Sequence, residues 1–128
     1  MVTVSWDLQP SARPGYGYTA EDPVRLGFSK NIGKNIRFCY TYIQSLRTAD
    51  QQPFAIISRA DVTDPKNEPE QQKFLGLPRR DSVLKGGILD LYELVSINDA
   101  DTVRLYFDIY HWDTLRVPVG LEFIPPAR

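Results

Sequence analysis

The sequence predicts an α+β domain in which one amphipathic helix packs on a mainly antiparallel sheet of about five strands. Three observations predict this class. One stretch repeats its apolar residues at the spacing of a single helical face, several stretches alternate apolar with polar residues, and two of these flank a turn signal. A helix gripped by a curved sheet, as in cystatins, is one candidate topology. We expect residues 1–128 to form a single domain.

The helix is expected over residues 32–47. Phe38 and Tyr42 widen the apolar face of this helix, which is formed by six residues: Ile32, Ile36, Cys39, Tyr40, Ile43 and Leu46. Ser29 or Asn31 can cap the N-terminus of this helix. Because Cys39 falls on the apolar face, we interpret it as a small core residue rather than as a nucleophile.

The chain before the helix is expected to contain two short strands and a tether between them. Apolar residues alternate with polar ones at Val2, Val4 and Trp6, and again at Val24, Leu26 and Phe28. Residues 9–23 contain three Pro and two Gly, which exclude a regular element. We therefore predict an extended tether over 9–23, pinned to the body of the domain by Tyr16 and Tyr18.

A strand over residues 53–59 and a long loop over 61–87 are expected after the helix. The loop is rich in charged residues, Pro and Gln. Loops longer than about 15 residues usually bind something or are disordered. We expect Phe74 to dock on the body or on a partner, with Arg79 and Arg80 on the same surface.

Strands over 88–97 and 103–110 are the clearest pairing in the chain, around turn residues 98–101. A five-residue connection places Ile97 opposite Val103 and Tyr92 opposite Asp108. This register puts the odd-numbered apolar residues of both strands on one face and three tyrosines on the other: Tyr92, Tyr106 and Tyr110.

The same register projects Glu93 onto the apolar face. A carboxylate there needs a partner or lines a cavity, unless a bulge rotates it to solvent. A last strand is expected over 117–123, and Pro118 indicates that it is an edge or bulged strand.

Composition and charge exclude several classes of function. The chain has 15 Lys and Arg against 16 Asp and Glu and a net charge of -1, so no overall field attracts nucleic acid. No apolar run reaches the roughly 18 residues of a membrane span, and no signal peptide stands at the start. One Cys and one His exclude an internal disulfide and argue against a Cys/His zinc site. No cofactor is expected.

Two local motifs are explained by ordinary structure. Residues 27–34 are placed like a phosphate-binding loop, but five residues rather than four separate the glycines, and Asn follows the Lys. We interpret this motif as a capped helix start. Residues 98–101 lack the Gly and terminal Glu of an EF-hand loop, so we interpret their acidic side chains as turn chemistry.

The best catalytic cluster is the stretch from Asp108 to Asp113, which contains the single His111. His111 could be a general base oriented by Asp113. No Ser or Cys nucleophile is placed by a motif, however. The Tyr, His and Trp side chains therefore favour a recognition surface.

Residues 16–27, 87–94, 105–110 and 117–123 resemble a family of small, uncharacterised bacterial proteins, many of them similar to cell-envelope lipoproteins. The resemblance covers most of the chain from Tyr16 on and implies a location in the cell envelope or periplasm. Some members bear the name of 2-dehydro-3-deoxyphosphooctonate aldolase. That activity is not expected, because such an aldolase is a TIM barrel of about 200 residues or more.

We predict a non-enzymatic protein-binding module, with an inhibitor or immunity-type protein as a specific version, and a monomer or weak dimer. Nine residues form the expected partner-binding surface: Tyr92, Tyr106, Asp108, Tyr110, His111, Trp112, Phe74, Arg79 and Arg80. The alternatives are a carrier of a small ligand or lipid with Glu93 in its pocket, and a small hydrolase or isomerase centred on His111.

Overall fold

One helix and eight strands form the part of the chain that the structure, a computed structural model, describes: residues 4–65 and 87–126, with the backbone alone at 99–101. The helix α1 is Ile32–Ser45. The strands are β1 Gln9–Pro10, β2 Val24–Arg25, β3 Leu46–Arg47, β4 Phe54–Thr63, β5 Ile88–Ser96, β6 Asp99–Asp108, β7 Arg116–Val117 and β8 Glu122–Phe123.

The main sheet has four strands in the order β2-β6-β5-β4. Its pairs are antiparallel except β2 with β6, which is parallel. Two short ladders accompany it, β1 with β7 in parallel and β3 with β8 antiparallel. The predicted α+β class, with one helix and a mainly antiparallel sheet, is confirmed. The cystatin-like topology stays a prediction.

Helix α1 begins at the predicted residue and ends two residues early. The Asn31 side chain caps it by accepting a hydrogen bond of 3.2 Å from the Lys34 N–H. After Ser45 the chain becomes extended and pairs with β8. The buried face is Asn35, Cys39, Tyr42, Ile43 and Ser45. Tyr42 is thus part of the buried side, as predicted, whereas Ile32 and Tyr40 of the predicted face are more than a third exposed.

The core lies where α1 packs on β5 and β6. The Phe107 ring makes edge-to-face contacts with Tyr42 and Tyr92, at centroid distances of 5.8 and 5.4 Å. The Tyr42 hydroxyl donates a hydrogen bond of 2.6 Å to the Arg116 carbonyl, so the buried phenol is satisfied. Cys39 is fully buried as predicted, and this burial raises the pKa of its thiol.

The predicted register of the β5–β6 hairpin is wrong. Leu94 lies opposite Val103 and Tyr92 opposite Leu105, so Ile97 falls in the turn instead of the ladder. Val95 pairs with Thr102 but Ser96 pairs with Asp99, so the ladder continues past an irregularity in β6. The turn is therefore shorter than predicted and contains only residues 97 and 98. Val103 was predicted to pair with Ile97 and pairs with Leu94 instead, so β5 is shifted along β6 by an odd number of residues. Because side chains alternate between the two faces of a strand, this shift turns the opposite face of β5 towards the helix. Tyr92 and Leu94 are consequently in the core.

The chain before β2 is only partly as predicted. Residues 4–8 form no strand, since Trp6 packs on the core through a ring contact with Phe123 at 6.2 Å instead of through a ladder. Residues 2 and 3 lie outside the described residues. The segment 9–23 differs from the predicted extended tether without a regular element, since it begins with β1 and continues mostly in turns. Tyr16 and Tyr18 pin it as expected. Tyr16 is 2% exposed, and Tyr18 donates a hydrogen bond of 2.5 Å to the Val119 carbonyl.

Strand β4 and the C-terminal strands also differ from the prediction. β4 continues to Thr63, into the predicted loop, of which residues 66–86 lie outside the described residues. The predicted strand over 117–123 is divided into β7 and β8 by a turn at Gly120, whose φ of 89° favours glycine. The predicted three-strand meander is therefore wrong in its last member, and the antiparallel neighbours are β4, β5 and β6.

We expect Tyr16 to make folding stability fall as the pH rises from about 10 to about 12. Burial raises the pKa of Tyr16 from its ordinary value of 10.0 to about 12 in the folded chain. Between these values the unfolded chain releases the Tyr16 proton and the folded chain keeps it, so unfolding becomes more favourable. Urea unfolding at pH 9, 10, 11 and 12 measures the slope.

The Tyr16→Phe variant tests whether Tyr16 causes this pH dependence of stability. It loses the acceptor of the 3.0 Å hydrogen bond from the Arg116 N–H, so we expect a loss of about 1–3 kcal/mol at pH 7. Its stability should then fall less steeply than that of the wild type above pH 10. Equal slopes in the two proteins would contradict the role of Tyr16.

Candidate functional site

Asp108, the last residue of β6, organises the turn that follows it. Its side chain is 2% exposed. Its Oδ1 accepts hydrogen bonds from the backbone N–H groups of Tyr110 at 2.8 Å and His111 at 3.1 Å. Its Oδ2 lies 2.8 Å from Nδ1 of the His111 ring. These bonds satisfy the buried carboxylate and fix the direction of the chain as far as Trp112.

His111 is oriented by this carboxylate. A carboxylate only accepts hydrogen bonds, so Nδ1 of His111 carries a proton in the contact. Nε2 makes no hydrogen bond to any residue that the structure describes, and the side chain is 49% exposed. The imidazole therefore has one ring nitrogen held by the protein and one available to a ligand or to water.

Gly27 allows the chain after β2 to lie directly against this turn. The Gly27 N–H donates a hydrogen bond of 2.8 Å to the His111 carbonyl. A Cβ atom at residue 27 would lie 2.5 Å from the Tyr110 carbonyl carbon and 2.6 Å from the His111 nitrogen. Residue 27 must therefore be glycine for the two backbones to approach this closely, and the approach sets Phe28 beside Trp112.

Phe28 and Trp112 form the aromatic ridge, the name we use for this pair. Their ring centroids are 6.1 Å apart, with a tilt of 36°. Phe28 also contacts Phe38 of the helix edge to face at 6.5 Å. Trp112 is nevertheless 68% exposed. A large apolar ring is thus held on one side and presented to solvent on the other.

Asn35 connects the ridge to the helix. Its side-chain nitrogen donates to the carbonyls of Ser29 at 2.8 Å and Ile109 at 2.9 Å, and its oxygen accepts from the Ser29 N–H at 3.0 Å. Asn35 is fully buried. These bonds hold the segment before the helix and the segment after β6 at a fixed separation.

Two grooves share the aromatic ridge as a wall. The larger, the helix-side groove, has a volume of about 490 Å³ and is lined further by residues 29, 30, 32, 35, 109 and 110. The smaller, the N-terminal groove, has a volume of about 380 Å³ and is lined further by residues 4, 5, 7–9 and 113–116. Both volumes are within the range of ligand pockets, about 300–1,000 Å³.

The structure brings together only part of the predicted partner-binding surface. Tyr110, His111 and Trp112 lie together at the end of β6. Asp108 is next to them, but it is buried and acts through His111. Tyr106 is half-buried on the other face of β6 from the core residues Leu105 and Phe107. Phe74, Arg79 and Arg80 lie outside the described residues.

The hairpin register makes the predicted orientation of Tyr92 wrong and determines that of Glu93, which the sequence left open. Tyr92 is 1% exposed in the core and cannot be a surface anchor. Glu93 faces away from the core, where Oε1 accepts a hydrogen bond of 2.7 Å from Ser58 and Oε2 lies 3.2 Å from Nε of Arg104. These bonds hold the pKa of Glu93 below its ordinary value. The carrier hypothesis therefore loses its pocket carboxylate.

Phe28, Gly27 and Asn35 were not predicted as parts of the site. A signal for Asn35 was present, since a polar residue lies four positions before Cys39 on the buried helix face. A buried amide there must be hydrogen-bonded to neighbouring segments. Gly27 and Phe28 belong to the motif over residues 27–34, but that motif does not indicate the contact of Gly27 with the turn after β6, because the two segments are distant in sequence.

The described ranges 4–65 and 87–126 contain no group of His, Cys, Asp and Glu arranged to hold a metal ion. Within the same ranges, no helix has the length and apolar character needed to cross a bilayer. Comparisons of the chain with protein-family models, with curated proteins and with solved structures found no match.

We expect Gly27→Ala to destabilise the protein by about 1–3 kcal/mol, because the added methyl overlaps the backbone at Tyr110 and His111. Gly15→Ala is the matched control, since the nearest atom to its Cβ would be the Thr19 hydroxyl oxygen at 3.5 Å, an ordinary contact. Urea unfolding measures both. A Gly27→Ala protein as stable as the Gly15→Ala protein would contradict the close approach.

We expect neutral His111 to carry its proton on Nδ1 in the wild type. In Asp108→Asn, the amide nitrogen can donate to the ring instead, which favours the tautomer with the proton on Nε2. Long-range ¹⁵N–¹H NMR spectra of the imidazole distinguish the two tautomers. The same tautomer in both proteins would show that the carboxylate does not orient the ring.

Proposed function

We propose that this protein is a protein-binding module that recognises an extended, apolar segment of a partner protein at the aromatic ridge. The observation that carries the proposal is the 68% exposure of Trp112 between two grooves. Trp is among the residues most enriched at the energetic centres of protein interfaces. A single exposed apolar side chain is normal on a protein surface, but Trp112 is packed against a second aromatic ring and lines two grooves.

The partner is inferred to be a polypeptide segment from the shape of this surface. The grooves lie on the two sides of one ridge, so a ligand that fills both must pass over Trp112. A polypeptide segment matches this shape when a small residue crosses Trp112 and the apolar side chains before and after that residue enter the two grooves. The grooves also carry polar groups at their margins, Lys30 in one and Arg116 in the other, which can bind backbone carbonyls of the segment.

The inhibitor or immunity-type role is a specific version of the same proposal, and the envelope location rests on the sequence resemblance alone. The first concerns the identity of the partner, and the second concerns the compartment in which the two proteins meet. Neither changes the surface that is proposed to bind the partner.

We expect peptides selected for binding to the full chain to contain large apolar side chains and to depend on Trp112. A displayed library of random peptides is selected on the wild type, and the enriched peptides are measured by calorimetry. Trp112→Ala should weaken their binding at least about thirtyfold, the effect of a hot-spot residue worth about 2 kcal/mol.

Ile97→Ala is the matched control, because Ile97 is 78% exposed at the distant β5–β6 turn. It should leave the affinity unchanged. Failure to enrich any peptide, or equal affinities for wild type and Trp112→Ala, would contradict the proposed function.

A second candidate, a small hydrolase or isomerase, is favoured by one observation. The His111 ring is held at 2.8 Å by a buried carboxylate, which is how general bases are commonly oriented. Against it, no Ser or Cys side chain is bonded to His111 in the described part of the chain. A panel of hydrolase and isomerase substrates tested on wild type and His111→Ala decides, and equal rates would remove this candidate.

A further inference from the structure

Strand β4 is one edge of the main sheet. Its ten residues, Phe54–Thr63, pair with β5 on one side, and on the other side no described residue forms a ladder with it. Residues 55–61 are exposed. Edge strands of this kind present unpaired N–H and C=O groups to any further strand.

The half of β4 beyond Ser58 contains neither proline nor lysine, and its two charged residues, Arg59 and Asp61, have opposite signs. The register with β5 shifts between Ile56 and Ser58, but from Ser58 to Thr63 it is continuous. The sequence there is Ser-Arg-Ala-Asp-Val-Thr, without Pro or Lys. A segment of about this length, in regular register with its neighbour, is sufficient for the addition of a strand.

The charges of this segment are self-complementary. Arg59 and Asp61 flank Ala60, and both lie on the same face of the strand. In an antiparallel pair centred on Ala60, Arg59 of each copy would lie opposite Asp61 of the partner subunit. Directly opposed unlike charges stabilise cross-strand pairs, and like charges destabilise them.

Both charges have a contact within the chain, and both remain partly exposed. Arg59 lies 3.1 Å from the Oδ1 atom of Asp90 on the neighbouring strand β5, and its side chain is 45% exposed. Asp61 is 66% exposed and lies 3.7 Å from Arg59, at the margin of an ion pair. The Asp61 carboxylate can therefore accept from a second guanidinium.

We propose that two copies of this chain associate through β4, in antiparallel pairing centred on Ala60, to form one continuous sheet across the dimer. The interface is isologous, because the same strand is used by both copies. It lies on the edge opposite β2 in the strand order, so it does not use the aromatic ridge.

Sedimentation velocity of the full chain from about 5 μM to 500 μM tests this proposal. We expect a concentration-dependent dimer in the wild type. Asp61→Arg places a second guanidinium opposite Arg59 and should raise the dissociation constant at least tenfold. Asp50→Arg, the same charge change at an exposed turn residue, should leave it unchanged.

A mixing experiment makes the test specific for register. An Asp61→Arg chain and an Arg59→Asp chain should each dimerise poorly alone and form a heterodimer when mixed, since both cross-strand pairs then join unlike charges. Circular dichroism checks that each variant is folded. If Arg59→Asp does not fold, because Asp90 loses its cation, the comparison of Asp61→Arg with Asp50→Arg still decides.

A wild type that is monomeric at 500 μM would overturn the proposal. So would a dimer that Asp61→Arg and Asp50→Arg affect equally, because the contact would then lie elsewhere. The Trp112→Ala variant should dimerise like the wild type, which separates this surface from the proposed peptide-binding one.

Discussion

The contact of Phe107 with Tyr42 and Tyr92 is the interaction on which the rest of this structure depends. Phe107 belongs to β6, Tyr92 to β5 and Tyr42 to α1, so one set of edge-to-face contacts joins the helix to both central strands. The hydroxyl of Tyr42 then holds the carbonyl of Arg116, which positions β7. Rings of this size bury large apolar areas, and their geometry is more restrictive than that of aliphatic side chains. The packing thus selects the face of β5 that turns inward.

The candidate site follows from this core through backbone contacts. Once β6 is fixed, Asp108 closes the turn after it, Gly27 approaches the turn, and Asn35 ties the turn to the helix. Each of these three residues has a short side chain or none, and each forms a hydrogen bond with the main chain of a segment distant in sequence. The exposed ring of Trp112 is consequently supported by groups that are themselves buried or backbone. Rigid support of an exposed aromatic residue is what interface centres require.

The sequence was sufficient to predict the features that depend on local periodicity. These are the helix, the burial of Cys39 and the inward face of β6, where Leu105 and Phe107 alternate with polar residues. It was insufficient for β5, because apolar residues stand on both faces of that strand and alternation alone cannot choose between Leu91 and Tyr92. The aromatic ridge was partly predicted through Trp112. Its other half, Phe28, depends on an approach of two backbones across about eighty residues of sequence, for which a single chain carries no pattern.

The hydrogen bonds of Asn35 also bear on the thermodynamics of recognition. They join the first turn of α1 to the loop before it and to the strand end after it, so the walls of the helix-side groove are held in place without a ligand. A preorganised groove loses little conformational entropy when it is filled. For the partner segment that we propose, the ordering cost of binding would therefore fall mainly on that segment. Rigid partner sequences, such as those with proline beside the apolar anchors, would accordingly have an advantage over flexible ones with the same side chains.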